Sequence, residues 1–247
     1  MKYAVYVEGL SEMLFVTDVL QKHFNYDSKL CGFRCINLRA DNFEKLPYPQ
    51  LGDEQSDNYY QIVNVNNDNR VISKLKQDIP NLIANEYDVI IGLKDVYGDA
   101  YKKLMNQDPV VDRAKIEKLH YIQTRAINVT QTCDCRLHFA IMEYETWMLA
   151  LINNYVINKG FDLSILGQQL NIDIECDFEQ NVYHPFNIVR KICNICGDDY
   201  HKHGKESFSF LSVLSMDDYN MLRSSGRCAS FAKFLDSLLG GPCPTLP

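Results

Sequence analysis

Three short runs are apolar at nearly every position, and each predicts a strand. Residues 2–7 (KYAVYV), 87–93 (YDVIIGL) and 136–142 (RLHFAIM) show no polar face, which is the pattern of strands covered on both sides in a parallel sheet. Residues 33–39 (FRCINLR) alternate and predict a fourth strand. After the first run the period changes. Met13, Leu14, Val16, Val19 and Leu20 recur at helical spacing, so residues 11–22 predict a helix behind a tight glycine turn. Residues 40–67 are polar, with Pro47, Pro49 and several Asn, and predict an excursion with little regular structure before a helix near 69–77. Basic helical segments follow around 100–119, and TWMLALINNYVI at 146–157 predicts a further helix. The order of elements implies an α/β fold: a mostly parallel sheet flanked by helices, with a C-terminal helical appendage. The expected division is a core over 1–158, a helical region over 159–240 that completes the site, and a flexible tail over 241–247.

Where these strands stop, acids begin. Glu8 follows the first run, Asp95 follows the third strand within two residues, and Glu143 follows the last. In an open parallel sheet the carboxyl ends of the strands share one edge, and ligands bind there. Three distant acids are therefore expected to converge on one site. Each has an acidic neighbour: Glu12 after Glu8, Asp99 after Asp95, and Glu145 after Glu143. Clustered carboxylates share protons, recruit cationic side chains or hold metal ions. Hard oxygen donors select Mg²⁺ or Mn²⁺ over zinc, and such ions keep waters and bind phosphates. Metal-assisted phosphodiester chemistry is the leading expectation. For any single acid the plainer alternative is a turn residue, or a charge favoured by a helix N-terminus.

Composition narrows the field. The 247 residues, 46% hydrophobic, suffice for one substantial core with a smaller appendage. No stretch approaches the length a bilayer requires, and the first apolar run is too short for a secretory leader, so a soluble cytoplasmic protein is expected. A formal charge of −7 argues against coating nucleic acid by bulk electrostatics. Nine cysteines without a leader predict reduced thiols, several of them small core residues. CNICGDDYHKHGK offers a rival site: Cys193, Cys196, His201 and His203 supply four soft ligands, although the cysteines fall at helical spacing and His-x-His departs from the usual zinc patterns. Trp147, the only tryptophan, is expected in the core. No Gly-rich phosphate loop and no nucleophile elbow is present.

Taken together, VEGLSE at 7–12, VIIGLKDVYGD at 89–99 and FAIMEYETWMLAL at 139–151 resemble TOPRIM-fold proteins of the OLD and RloB-like kind, closest to a bacterial family with VEG-x-T-E, D-Y-Y-G-like and E-F-E-A-L/W-like motifs. YHK at 200–202 and CASFAKFL at 228–235 match its closing motifs in order. The resemblance implies a Mg²⁺-binding catalytic core. Glu8 would be acid/base or first metal ligand, Glu12 a second ligand, Asp95 the central ligand, and Glu143 with Glu145 the later acidic pair. Lys202 would stabilise charge on the phosphoryl oxygens. The second aspartate of the fold's D-x-D is Tyr97 here, which leaves a one-metal or two-metal site open, with Asp99 a further candidate. Lys205, Arg223 and Arg227 are the expected nucleic-acid contacts, provided that their segment folds over the acidic edge.

The function expected from residues and resemblance together is a metal-dependent nuclease acting on DNA or RNA. The resemblance adds a bacterial anti-phage setting with a separate ABC-type ATPase as partner, and leaves a homo-oligomeric state open. The alternatives are a non-catalytic interaction subunit of such a complex and a zinc-stapled nucleic-acid-binding protein.

Overall fold

The computed structural model describes residues 1–39, 42–45, 49–66, 70–105, 108–127, 134–201 and 207–241. Six strands form one sheet: β1 (Lys2–Val7), β2 (Cys31–Arg39), β3 (Asn42–Lys45), β4 (Asn58–Asn64), β5 (Val89–Asp95) and β6 (Asp134–Ala140), in the spatial order β3-β2-β4-β1-β5-β6. Five run parallel, and β3 lies antiparallel on the outer side of β2. Strand β1 sits at the centre because its side chains are apolar on both faces. Tyr3, Val5 and Val7 enter one core, Ala4 and Tyr6 the other.

Twelve helices enclose the sheet among the described residues. α1 (Leu10–His23) packs on the Tyr3–Val5–Val7 face. α2 (Arg70–Ala84), α3 (Asp99–Leu104) and α4 (Arg113–Ile127) cover the opposite face through Val71, Leu75, Ile79, Tyr101 and Ile116. Gly92 in β5 permits a close approach there: a Cβ would lie 2.7 Å from a Leu75 methyl. α5 (Glu145–Ala150), α6 (Ile152–Asn158), α7 (Leu163–Leu170), α8 (Phe178–Asn181), α9 (Pro185–Ile195), α10 (Ser207–Leu211), α11 (Met216–Ser225) and α12 (Ala229–Leu238) complete the α1 side. The C-terminal helices are a layer of the fold: Phe231, Phe234, Leu235 and Leu238 of α12 belong to the same apolar core as Val5 and Phe15. Burying each such side chain contributes about 1.5–3 kcal/mol. Trp147 is fully buried between Phe231 and Phe234, and its indole N–H donates to Ser230 Oγ at 3.0 Å.

The polar stretch 40–67 departs from the sequence expectation. It holds β3 and, between β2 and β1 inside the sheet, β4. Asn58, Gln61 and Asn64 hide this strand from a hydrophobicity reading, yet Tyr59, Tyr60, Ile62 and Val63 are buried. Gln61 is satisfied where it lies, since its Oε1 accepts from Arg34 at 2.5 Å and from Tyr87 at 3.2 Å. The helix expected over 69–77 continues as α2 to Ala84, through the exposed Pro80, because Ile79 and Leu82 still face the core; residue 69 lies outside the described residues. The basic segment 100–119 is two helices, α3 and α4. The helix expected over 146–157 is interrupted at Leu151 (φ −103°, ψ 2°) into α5 and α6. No helix among the described residues is long and apolar enough to cross a membrane. The seven described cysteines are free thiols.

Candidate metal centre

The strand order reverses around β1. α1 leads from it towards β2 on one face, and α2 carries the chain from β4 across to β5 on the other. This is the topological switch point of the sheet, where the carboxyl edge opens into a crevice. Tyr6 of β1 pairs with Gly92 of β5, so continuing the register by two places sets Glu8 beside Lys94, one residue before Asp95. Glu12 arrives by a different route. α1 begins at Leu10 after an extended Gly9, which brings Glu12 in its first turn back over the end of β1. One carboxylate oxygen from each of Glu8, Glu12 and Asp95 lies within 4.8 Å of the other two. No other set of three His, Cys, Asp or Glu side chains gathers in this way among the described residues.

The remaining acids of the edge have separate supports. Glu8, Glu12, Asp95, Glu143 and Glu145 are all buried, between 1% and 6% exposed. Met142 turns the chain after β6 with a left-handed backbone (φ 64°), and its carbonyl accepts the Tyr97 N–H at 2.7 Å. A buried methionine there is strained, and it redirects the segment that carries Glu143, Tyr144 and Glu145. The Tyr144 N–H donates to Asp95 Oδ1 at 2.8 Å, so this turn also fixes the orientation of the central carboxylate. Glu143 Oε2 accepts the Phe186 N–H at 3.2 Å, in the first turn of α9, where the helix dipole favours a negative charge. Glu145 Oε1 accepts the Tyr200 phenol at 3.2 Å. Burial first, and then the carboxylates Glu12 and Glu145, hold the Tyr144 phenol well above its ordinary range. Tyr200 is raised in the same way, by burial, Glu145, Tyr144 and Glu12. Both phenols thus stay protonated at neutral pH, and Tyr200 remains a donor. α10 is tied to the edge as well, since Ser207 Oγ lies 3.0 Å from Ser11 Oγ next to Glu12.

Of the sequence candidates, then, Glu8, Glu12 and Asp95 come together as one set. Glu143 and Glu145 lie on the adjoining turn, held by α9 and Tyr200, outside that set. Asp99 does not join it: it is exposed, in the first turn of α3, where it complements the helix dipole. Lys202 and Lys205 lie outside the described residues. Arg223 and Arg227 do not form a free basic surface. Arg223 pairs with Asp236 beside the last turn of α1, the far end of a helix about 21 Å long. Arg227 donates to the Ile174 carbonyl at 2.6 Å and pairs with Glu175 at 3.4 Å.

The Cys/His constellation does not assemble in the described residues. Cys193 and Cys196 end α9 as buried thiols, and burial pushes Cys193 up to about 11. His201 is exposed and meets Asp199 at 3.0 Å. His203 is outside the described residues.

Sequence reasoning missed the two tyrosines that orient the acids from neighbouring elements. Tyr200 was marked only by resemblance, and nothing in the sequence around Tyr144 signals a backbone donor aimed at Asp95. It also missed Glu179, which is fully buried in α8, accepts the Ser230 N–H at 3.0 Å and faces Arg113 at 3.4 Å. Nothing in its surroundings, CDFEQ, marks it out.

No family model matches this chain, and no curated protein or solved structure matches it either.

Proposed function

We propose that this chain is a divalent-metal-dependent phosphodiesterase of TOPRIM-like type, acting on nucleic acid at the carboxyl edge of β1 and β5. The observation that carries the proposal is the meeting of Glu8, Glu12 and Asp95, three buried carboxylates from the turn after β1, from α1 and from β5, with oxygens within 4.8 Å of one another. The donor set fits Mg²⁺ or Mn²⁺: all ligands are hard oxygens, and three protein ligands leave coordination positions for water and phosphate. When bound, such a cation polarises a phosphoryl oxygen and makes water a stronger nucleophile. The protein's own part is positional. Tyr144 N–H holds Asp95, the first turn of α1 holds Glu12, and the turn at Met142 keeps Glu143 and Glu145 beside them without adding them to the set. Tyr97 replaces the second aspartate of the resembled motif, and its backbone is committed to Met142. That favours a single cation.

The test is incubation of the purified protein with labelled DNA and RNA in Mg²⁺ or Mn²⁺, compared with Glu8→Gln and Asp95→Asn. Both variants keep the side-chain shape and remove a charge. Cleavage by the wild type, and a loss in each variant beyond the roughly 10–100-fold that removing a supporting group costs, supports the proposal. Absence of cleavage with either metal, in a protein that binds Mn²⁺, favours the non-catalytic interaction subunit. The ABC-type ATPase partner and the anti-phage setting rest on the resemblance alone, and the cytoplasmic location on the sequence pattern alone.

A further inference from the structure

The sheet carries a second opening, on its α2 face and towards the amino ends of the strands. It is a cavity of about 290 Å³, floored by β1, β2 and β4 and walled by the last turns of α2 and by Tyr87. Further along the same face β2 and β4 are apolar, with Ile36, Leu38 and Val63 in the core. At the cavity they present Arg34 and Gln61 instead. Gln61 is only 8% exposed, and its bonds from Arg34 and Tyr87 both go to the oxygen. Those bonds fix the carboxamide, and among the described residues its nitrogen donates to nothing. Two N–H donors are thereby left for the cavity, and Lys2 adds an ammonium to the lining.

The two acids of the lining differ. Asp78 is engaged, since it accepts the Tyr6 phenol at 2.8 Å and faces Lys74 at 3.4 Å. Glu54 is held loosely: its side chain is half exposed and stands 3.8 Å from Arg34. Its place is nonetheless built into the backbone. A Cβ on Gly32 of β2 would lie 2.2 Å from the Asp53 carbonyl oxygen, so only glycine lets this loop cross the strand, and Ser56 Oγ ties it to the Ser28 carbonyl at 2.7 Å. The cavity is separate from the carboxylate centre. Lys2 stands six residues before Glu8, about 20 Å along an extended chain.

We propose that this cavity binds a free α-amino acid, with its carboxylate received by Arg34, Gln61 Nε2 and Lys2 and its ammonium by Glu54. The charges decide the class. Lys2 and Arg34 are matched in number by Glu54 and Asp78, and a lining without net charge suits a ligand whose own charges are equal and separated. A guanidinium beside carboxamide N–H groups receives a planar carboxylate, and the loosely held Glu54 is left for a cation. A phosphate dianion would instead bring two negative charges past both acids. The volume lies at the small end of ligand sites, which suits one amino acid and not a peptide. This proposal is independent of the phosphodiesterase reading.

Isothermal titration calorimetry in EDTA, which keeps cations from the carboxylate centre, tests it at constant ionic strength. The probes are the common L-amino acids, first screened at about 10 mM for a rise in Tm, together with inorganic phosphate and AMP. The expected result is saturable one-to-one binding of at least one amino acid, about tenfold or more tighter than its carboxamide, its deaminated acid, phosphate or AMP. Arg34→Gln and Glu54→Gln should each weaken that binding by about 10–100-fold, the loss expected for a hydrogen bond to a charged group. Circular dichroism checks the fold of both variants, and the exposed Glu54 is replaced without disturbing the core. No binding by any amino acid, equal binding of the deaminated acid or of phosphate, or an unchanged affinity in folded Glu54→Gln overturns the assignment. Cleavage is not read in this experiment, so its failure is distinct from failure of the nuclease assay.

Discussion

Replacing Asp95 by Asn should abolish the protein's response to metal. The three carboxylate oxygens lie within 4.8 Å of one another. At an effective dielectric of about 20, each ionised pair at that distance repels by about 3.5 kcal/mol. Asp95→Asn removes one of the three ligands and two of the three pairs whose repulsion a bound cation relieves, so the variant should lose the gain in stability that a cation confers. Asn retains an oxygen for the Tyr144 N–H that now meets Asp95 at 2.8 Å, so the substitution tests charge without deleting that bond. The assay is differential scanning fluorimetry in EDTA and in 10 mM Mn²⁺ or Mg²⁺. Wild type should rise in metal by about 2.7 kcal/mol equivalent if the ion is at a hundredfold its Kd, and Asp95→Asn should stay flat. A variant that gains as much stability as wild type in metal would refute the reasoning.

Other perturbations test the frame that presents the site. His138, on β6 against Phe234, is buried, and desolvation first, then the charges of His120, Arg136 and Lys233, push it down to about 3 from 6.5. A depressed histidine contributes stability above its unfolded pKa and loses it as pH falls towards the folded one. Wild type should therefore lose about 2–3 kcal/mol more than His138→Phe between pH 7 and 4.5 in urea titrations, and parallel losses would contradict the burial. Gly92→Ala places a Cβ 2.7 Å from Leu75 and 3.1 Å from Leu137, so about 1–3 kcal/mol should be lost to overpacking. Unchanged Tm would mean that α2 does not pack so closely on β5.

The parts of this fold that announced themselves were those where one physical signal dominated. β1, β5 and β6 are buried on both sides, so their sequences carry long apolar runs, and the acids that end them stand out. β4 carries the same burial, but Gln61 is buried with Arg34 and Tyr87 as partners, and a paired polar residue inside a sheet looks like a loop residue until its partners are placed. The acidic edge was legible as a convergence, and its internal division was not. Glu12 joins Glu8 because a helix begins at Leu10, whereas Asp99, at the same spacing from Asp95, begins its own helix and faces solvent. Spacing cannot distinguish those two outcomes; the packing of the first turn does. The arginines failed as a surface for a similar reason: Asp236 and Glu175 approach them only in three dimensions.

The most direct measurement is anomalous diffraction from crystals soaked in Mn²⁺, recorded at the manganese edge. The account predicts a peak within about 2.5 Å of oxygens from Glu8, Glu12 and Asp95, absent in crystals of Asp95→Asn. A peak elsewhere on the molecule with none between these carboxylates, or a peak that persists unchanged in the variant, would contradict it.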